Sequence, residues 1–242
     1  MSASDCSNAV PPAGPLQAIT LDLDDTLWPM LPVLKQAEQT LSAWLHEHAP
    51  ATAARLTPDA RTTLRQAVMA DHPERAHDVG FLRLELLRRA MAGAGEDPAL
   101  AAPAFDVFFQ ARQAVTLYDD VIPVLERWSA RWPLVALTNG NADLHRIGLA
   151  RYFRGVVSAH ELGCAKPDAR AFHAACELAG AAPAEVLHVG DDPELDVEGA
   201  RAAGLQAVWL LRPDVAPRHA GRAAALASMT SLLAIEQALS GN

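Results

Sequence analysis

The chain has 242 residues, half of them hydrophobic, enough to bury a substantial core as one large domain or as a core plus a lobe. Its formal net charge of −9 argues against a sequence-independent nucleic-acid binder, and any site for an anionic substrate must rely on local cations. No apolar run reaches the length of a membrane span, and Cys6, Cys164 and Cys176 show no CxxC spacing, which fits reduced thiols in a cytoplasmic protein.

Residues 1–15 are polar, carry Pro and Gly, and have neither a basic start nor an apolar stretch. They are expected to form a disordered lead-in and not a signal peptide. Residues 19–27, ITLDLDDTL, then read as a buried strand that delivers Asp22 and Asp24 at its C-terminal end. A strand places residues i and i+2 on one face, so regular geometry aims both carboxylates into one small volume. Like charges there repel unless a cation or a proton holds them, which suits chemistry in which one Asp attacks and the other carries protons. A polar strand end closed by an Asx turn would use the same residue types. The fragment therefore gains its meaning from the segments later in the chain.

Between Trp28 and about Thr116 the strand pattern disappears. Val33, Ala37, Leu41, Trp44, Leu45 and His48 form a helical stripe over residues 32–48. Thr57 and Pro58 predict the N-cap and first position of a second helix, through Leu64, Ala67 and Val68. Asp78 is expected to cap a third, through Phe81, Leu82, Leu86 and Met91, which ends in the Gly93/Gly95 region. Asp97 and Pro98 start a fourth, bending at Pro103 and running through Phe105, Phe108, Phe109 and Val115.

Strand-like segments at 17–23, 133–138, 155–158, 186–190 and 206–211 alternate with helical stretches. That pattern predicts an α/β fold, a parallel sheet with helices on both faces and ligands bound beyond the carboxyl ends of the strands. Residues 134–141, LVALTNGN, put Thr138 at a strand end. Lys166 precedes Pro167, which suits the first position of a helix. Residues 186–196, VLHVGDDPELD, end in the acidic cluster Asp191, Asp192 and Asp196. His188, inside that strand, reads as a packed core histidine, and Cys164 as a small half-buried side chain.

Taken in order, Asp22-x-Asp24, Thr138, Lys166 and the Gly-Asp-x-x-x-x-Asp run from Gly190 to Asp196 resemble the signature of the haloacid dehalogenase-like (HAD) superfamily, over residues 17–211. The resemblance implies a HAD-like Rossmannoid core over residues 16–28 and 117–242 and an all-helical C1 cap over 29–116, inserted between the first two motifs. It implies Asp22 as nucleophile and Asp24 as acid/base. Thr138, the Asn139 backbone N–H and Lys166 would hold the phosphoryl group. Mg2+ would be bound by the Asp22 carboxylate, the Asp24 main-chain carbonyl and Asp191, with Asp196 and Asp192 in outer roles. Asp192 could equally be an acidic residue favoured by a helix N-terminus. Trp28, in the hinge and flap region, and Arg83, on a cap helix, are candidates for substrate contact, with plain packing and a solvated arginine as the alternatives.

Family members that are dehalogenases typically carry Tyr where this chain has Asp24, and phosphonatases a small residue, so the resemblance points to a phosphatase; a phosphomutase shares the same first motif. Residues 77–79 with Arg83, 132–141, 187–192, Asp196, Val197 and 206–209 further resemble one bacterial branch. It contains phosphatases acting on flavin mononucleotide and on the phosphorylated ribitylamino-uracil of riboflavin synthesis. The expected partner is a small phosphorylated metabolite, with no nucleic acid and no membrane, and the expected state is a monomer or weak dimer. Alternatives are a phosphatase of a nucleoside monophosphate, phosphoglycolate or a sugar phosphate, a haloacid dehalogenase, and a non-catalytic binding module on the same fold.

Overall fold

The computed structural model describes residues 15–213, 215 and 228–240; nearly all of the expected lead-in, and Cys6 with it, lies outside them. The chain divides into two compact units. Among the described residues, one comprises those up to Pro29, residues 116–140 and those from Leu144 onward; the other comprises residues 30–115 and 141–143.

The first unit is built on a parallel sheet of β1 (Ala18–Leu21), β2 (Leu134–Thr138), β3 (Gly155–Ser158), β4 (Val186–Gly190), β5 (Gln206–Leu210) and β6 (Ser228–Met229). The spatial order is β3-β2-β1-β4-β5-β6. Every residue of β1, β2 and β4 is buried, as expected of central strands covered on both faces. β1 lies between β2 and β4, so the strand order reverses there and the carboxyl ends of these three strands frame the crevice where such sheets bind ligands. The five expected strands are present within a residue or two; β6, two residues long, carries no period that a sequence could show.

One layer of core is formed where the helix Ala169–Ala179 lays Phe172, Ala175 and Ala179 among Ala18, Val135, Leu137 and Val186. This helix does not start at Pro167. Asp168 is the N-cap, its carboxylate accepting from the Arg170 N–H, so Pro167 stands one residue outside. Cys164 and Cys176 are both buried free thiols in this layer, and burial pushes the Cys176 thiol up to about 11.

The second unit contains α1 (Met30–His48), α2 (Pro50–Arg55), α3 (Pro58–Asp71), α4 (Val79–Ala94) and α5 (Ala101–Arg112), one helix more than expected. The extra helix, α2, is too short for a stripe and depends on a distant partner. The Glu96 carboxylate accepts from the backbone N–H groups of Ala51 and Thr52, both at 2.9 Å, satisfying two donors at its first turn. The expected caps of α3 and α4 hold, with Thr57 accepting from Ala60 and Asp78 from Phe81. Gly95, with φ of 79°, ends α4 in the left-handed region. Asp97 caps a separate 3-10 turn, Pro98–Leu100, and Pro103 lies in the first turn of α5, where its missing N–H leaves no gap. The expected bend at Pro103 is thus replaced by a break before Ala101. Val33, Ala37, Leu41 and Leu45 are the buried stripe of α1; Ala37, Leu41 and Leu45 pack with Val68, Leu82, Leu86, Met91 and Phe108.

Among the described residues no helix is long and apolar enough to cross a membrane.

Candidate active site

The site grows from the end of β1. The Asp22 N–H donates to the Val189 carbonyl at 2.9 Å, extending the ladder one residue beyond the strand and locking Asp22 beside the end of β4. The chain then closes a tight reversal. The N–H groups of Thr26 and Leu27 donate to the Leu23 carbonyl, and the Asp25 N–H donates to the Trp28 carbonyl at 2.8 Å. Asp25 takes φ of 60°, a conformation that Asp tolerates better than most residues. Arg212 braces this loop by donating from Nε to the Thr26 carbonyl at 3.0 Å.

Lys166 is the centre of charge. Its Nζ donates to Asp22 Oδ1 and to Asp196 Oδ1, each at 2.6 Å, and all three side chains are buried. Asp196 also accepts from His188 Nε2 at 3.1 Å and from the Asp192 N–H at 2.9 Å. Burial alone would raise the Asp196 carboxyl, but Lys166 and His188 outweigh it and hold it well below the usual range. Asp22 shares Lys166 without those further donors. Burial therefore dominates, the Asp196 and Asp24 charges add to it, and Asp22 is pushed up to about 7. Burial also pulls on the Lys166 ammonium, yet the two carboxylates prevail and hold it above its ordinary value.

Among the described residues, ligand oxygens of Asp22, Asp191 and Asp196 all lie within 4.8 Å of one another. The separation of roles between Asp191 and Asp192 is visible in their bonds. Asp192 Oδ1 accepts from the Glu194 and Leu195 N–H groups, both at 2.9 Å, capping the π-helical turn Pro193–Glu198; Asp192 is outside the carboxylate cluster. Asp196, expected in an outer role, comes within reach of the cluster, but its oxygens already accept from Lys166, His188 and Asp192. Gly190 makes this possible, since a Cβ there would stand 2.3 Å from Asp196 Cγ.

Thr138 is buried at the end of β2, where its hydroxyl accepts from the Gly140 N–H at 2.9 Å, leaving the hydroxyl hydrogen available to donate. Asn139 has a function that the sequence did not suggest. Its side chain grips the main chain of Lys166, with Nδ2 donating to the Lys166 carbonyl at 3.0 Å and Oδ1 accepting from the Lys166 N–H at 2.8 Å. His188 is a packed core residue as expected, but it is also wired to the site. Asp196 accepts at Nε2, so the burial-favoured neutral imidazole carries its hydrogen there and Nδ1 accepts from the Thr20 hydroxyl at 2.8 Å. Thr20 and His188 are register partners on β1 and β4, a pairing that no local pattern reveals.

Each of the two residues expected to contact substrate has a partner within the chain. Trp28 is fully buried and its indole N–H donates to Asp24 Oδ1 at 2.9 Å. Arg83 is half-buried: it donates to Glu38 at 2.6 Å, and its guanidinium lies 3.5 Å from the Phe108 ring centroid. Burial, with Arg65 nearby, lowers it to about 10.

Comparison with known proteins agrees with this geometry. Residues 16–204 match the haloacid dehalogenase-like hydrolase family. The chain is 37% identical over 207 residues to the 5-amino-6-(5-phospho-D-ribitylamino)uracil phosphatase YigB of Escherichia coli, covering 84% of this chain and 86% of that one. It is 40% identical over 144 residues to a phosphoserine phosphatase of Thermus thermophilus, covering 56% and 58%. A crystal structure described as a 2-haloacid dehalogenase from Pseudomonas syringae superposes with a TM-score of 0.85 at 34% identity, covering 93% of this chain and 98% of that one. With the matched region spanning most of the chain, and with phosphatases among its relatives, the protein belongs to the haloacid dehalogenase-like hydrolase family and is one of its phosphatases.

Proposed function

We propose that this chain is a magnesium-dependent phosphomonoester hydrolase working through an aspartyl-phosphate on Asp22. Its preferred substrates are the phosphorylated ribitylamino-uracil of riboflavin synthesis or flavin mononucleotide. The observation that carries the reaction is the pairing of Asp22 with Lys166 at 2.6 Å, with a second carboxylate, Asp24, two residues on in the loop that follows β1. The substrate reading rests on the likeness to the Escherichia coli phosphatase.

The steps are set by the residues. An Asp22 carboxylate oxygen forms a bond to phosphorus while the bond from phosphorus to the alcohol oxygen breaks. Asp24 gives that oxygen its proton, and the alcohol leaves. Asp24, now a carboxylate, takes a proton from water as the water oxygen bonds to phosphorus and the Asp22–phosphorus bond breaks. Inorganic phosphate departs with Asp22 regenerated and Asp24 protonated again. General acid–base help of this kind is worth about 10²–10⁴-fold. Lys166 balances charge on the phosphoryl oxygens and the Thr138 hydroxyl donates to them.

The carboxylate cluster fits a divalent cation. One ammonium, Lys166, faces Asp22 and Asp196, and with Asp191 added the site holds more negative charge than Lys166 can balance. Burial pushes the Asp22 carboxyl up, with the Asp196 and Asp24 charges adding to it, so a cation beside Asp22 would favour its ionised form. Asp22 and Asp191 would hold the ion, with the Asp24 carbonyl, while Asp196 orients Lys166. When bound, Mg2+ supplies positive charge that keeps Asp22 ionised and offsets the charge of the phosphate.

The test combines variants with a substrate panel. Asp22→Asn should abolish phosphatase turnover while the fold survives, and chelation should abolish wild-type activity until Mg2+ is restored. The panel should include flavin mononucleotide, the ribitylamino-uracil phosphate, phosphoglycolate, nucleoside monophosphates, sugar phosphates and a 2-haloacid. Retained activity in Asp22→Asn would overturn the covalent scheme. A preference for another phosphate would overturn the substrate reading alone.

A further inference from the structure

We propose that Trp28 is a positioning residue for the acid/base: its indole N–H fixes Asp24 Oδ1 as an acceptor and so makes Oδ2 the oxygen that carries the catalytic proton. This rests on the assignment of Asp24 as acid/base under the proposed function.

The geometry is specific. The Trp28 Nε1–Asp24 Oδ1 distance is 2.9 Å. An indole N–H can only donate, so the oxygen facing it must be a lone-pair acceptor in both protonation states of the carboxyl. In a carboxylic acid the unprotonated, carbonyl-type oxygen is the better acceptor, so the indole N–H favours the form with the proton on Oδ2. The proton given to the leaving oxygen, and later taken from water, therefore resides on Oδ2. The contact also fixes the carboxyl plane, since it removes one of the torsional options of a two-fold side chain.

The loop is built to deliver this contact. Asp24 and Trp28 form an isolated β-bridge across the reversal, and the Trp28 carbonyl accepts from Asp25. The neighbouring carbonyls are also tied down, with Leu27 accepting from the Tyr118 N–H at 3.1 Å and Thr26 from Arg212 at 3.0 Å. Trp28 is fully buried, so the indole cannot rotate away without opening this packing. A hydrophobic residue alone would meet the need for burial. Only a side chain with an N–H at that reach also orients the acid.

The experiment removes the donor and keeps the shape. Trp28 is replaced site-specifically by β-(3-benzothienyl)alanine, in which sulfur stands where the indole N–H was, and in parallel by Phe. Melting curves establish folding; the benzothienyl protein decides the question if Trp28→Phe does not fold. Single-turnover and steady-state rates are measured on an alkyl phosphate, whose leaving alkoxide needs protonation, and on p-nitrophenyl phosphate, whose leaving group is stable without it. Asp24→Asn serves as the reference.

The expected result is a loss in the benzothienyl protein about tenfold or more larger on the alkyl phosphate than on the aryl phosphate, in the same sense as Asp24→Asn. Equal losses on both substrates, with Asp24→Asn selective, would overturn the role of Trp28 and leave the acid/base assignment standing. Equal losses in Asp24→Asn itself would overturn the assignment and the inference with it.

Discussion

Asn139 and Lys166 hold each other through two reciprocal hydrogen bonds, of 3.0 and 2.8 Å, between the Asn139 carboxamide and the Lys166 main chain. The residue after the end of β2 thereby sets the backbone from which the Lys166 ammonium reaches Asp22 and Asp196. Asn139→Ala should remove this grip and leave the Lys166 charge in place but displaced. Loss of kcat is expected to be about 10²-fold, since small misplacements of a catalytic group cost that much. Steady-state kinetics on p-nitrophenyl phosphate give the number. A kcat within twofold of wild type would show that Lys166 is held by its carboxylates alone.

Gly190→Ala is expected to be far more damaging than a single methyl suggests. The added Cβ would overlap the Asp196 carboxylate, 2.3 Å from its Cγ. Asp196 would have to leave the position where it accepts from Lys166 and the Asp192 N–H. Activity should fall below a hundredth of wild type, and the protein should melt at lower temperature. A calorimetric melt alongside the phosphatase assay checks both.

The metal-free protein should lose stability as pH rises toward neutrality, and Asp22 should be the cause. Burial, aided by the charges of Asp196 and Asp24 against the pull of Lys166, puts the folded Asp22 carboxyl at about 7, against 3.8 as the ordinary value. Between these values the folded chain binds more protons at Asp22 than the unfolded chain, so stability falls as pH rises through that window. Above about 7 the effect is complete. In chelator, Asp22→Asn should therefore melt several degrees above wild type at pH 8 and lose most of that advantage near pH 4. Melting curves of both proteins across this range test the sign. Saturating Mg2+ should close the gap at pH 8 by stabilising wild type preferentially.

Arg212 and Asp120 form a further buried ion pair. Arg212 Nη1 lies 2.9 Å from both Asp120 oxygens, the guanidinium lies 4.2 Å from the Tyr118 ring centroid, and Asp120 also accepts from the Leu232 N–H at 2.7 Å. Asp120→Ala strands the Arg212 charge in the interior and should cost about 3–5 kcal/mol of stability. Replacing both partners, as Asp120→Leu with Arg212→Met, should recover much of it, because no unpaired charge remains. Urea denaturation of the two variants distinguishes the outcomes.

The elements of this protein were legible in the sequence because their signals are local. Apolar runs marked β1, β2 and β4; a stripe with the helical repeat marked α1; Thr57 and Asp78 sat where a helix needs an acceptor. The order of acidic, hydroxyl and Lys residues along the chain likewise pointed to phosphoryl chemistry before any strand was placed. Helix α2, strand β6 and the break before Ala101 were not legible. α2 and β6 are too short for a period, and the capping carboxylate of α2, Glu96, lies far along the chain.

The working state of the site was decided by tertiary structure alone. Placing β1 between β2 and β4 brings Asp22 and Lys166 together from 144 residues apart, and Thr20 and His188 from 168. Which carboxylate is held low and which is pushed up depends on donors counted in space: Asp196 has Lys166, His188 and the Asp192 N–H, whereas Asp22 must share Lys166 in a buried setting. Trp28 and Asp192 show the same limit at short range. Both looked like candidates for contact with substrate or metal, and folding turned one indole onto Asp24 and one carboxylate onto a helix end. A sequence states which groups are present. Their protonation and direction depend on burial and on partners that only the closed chain supplies.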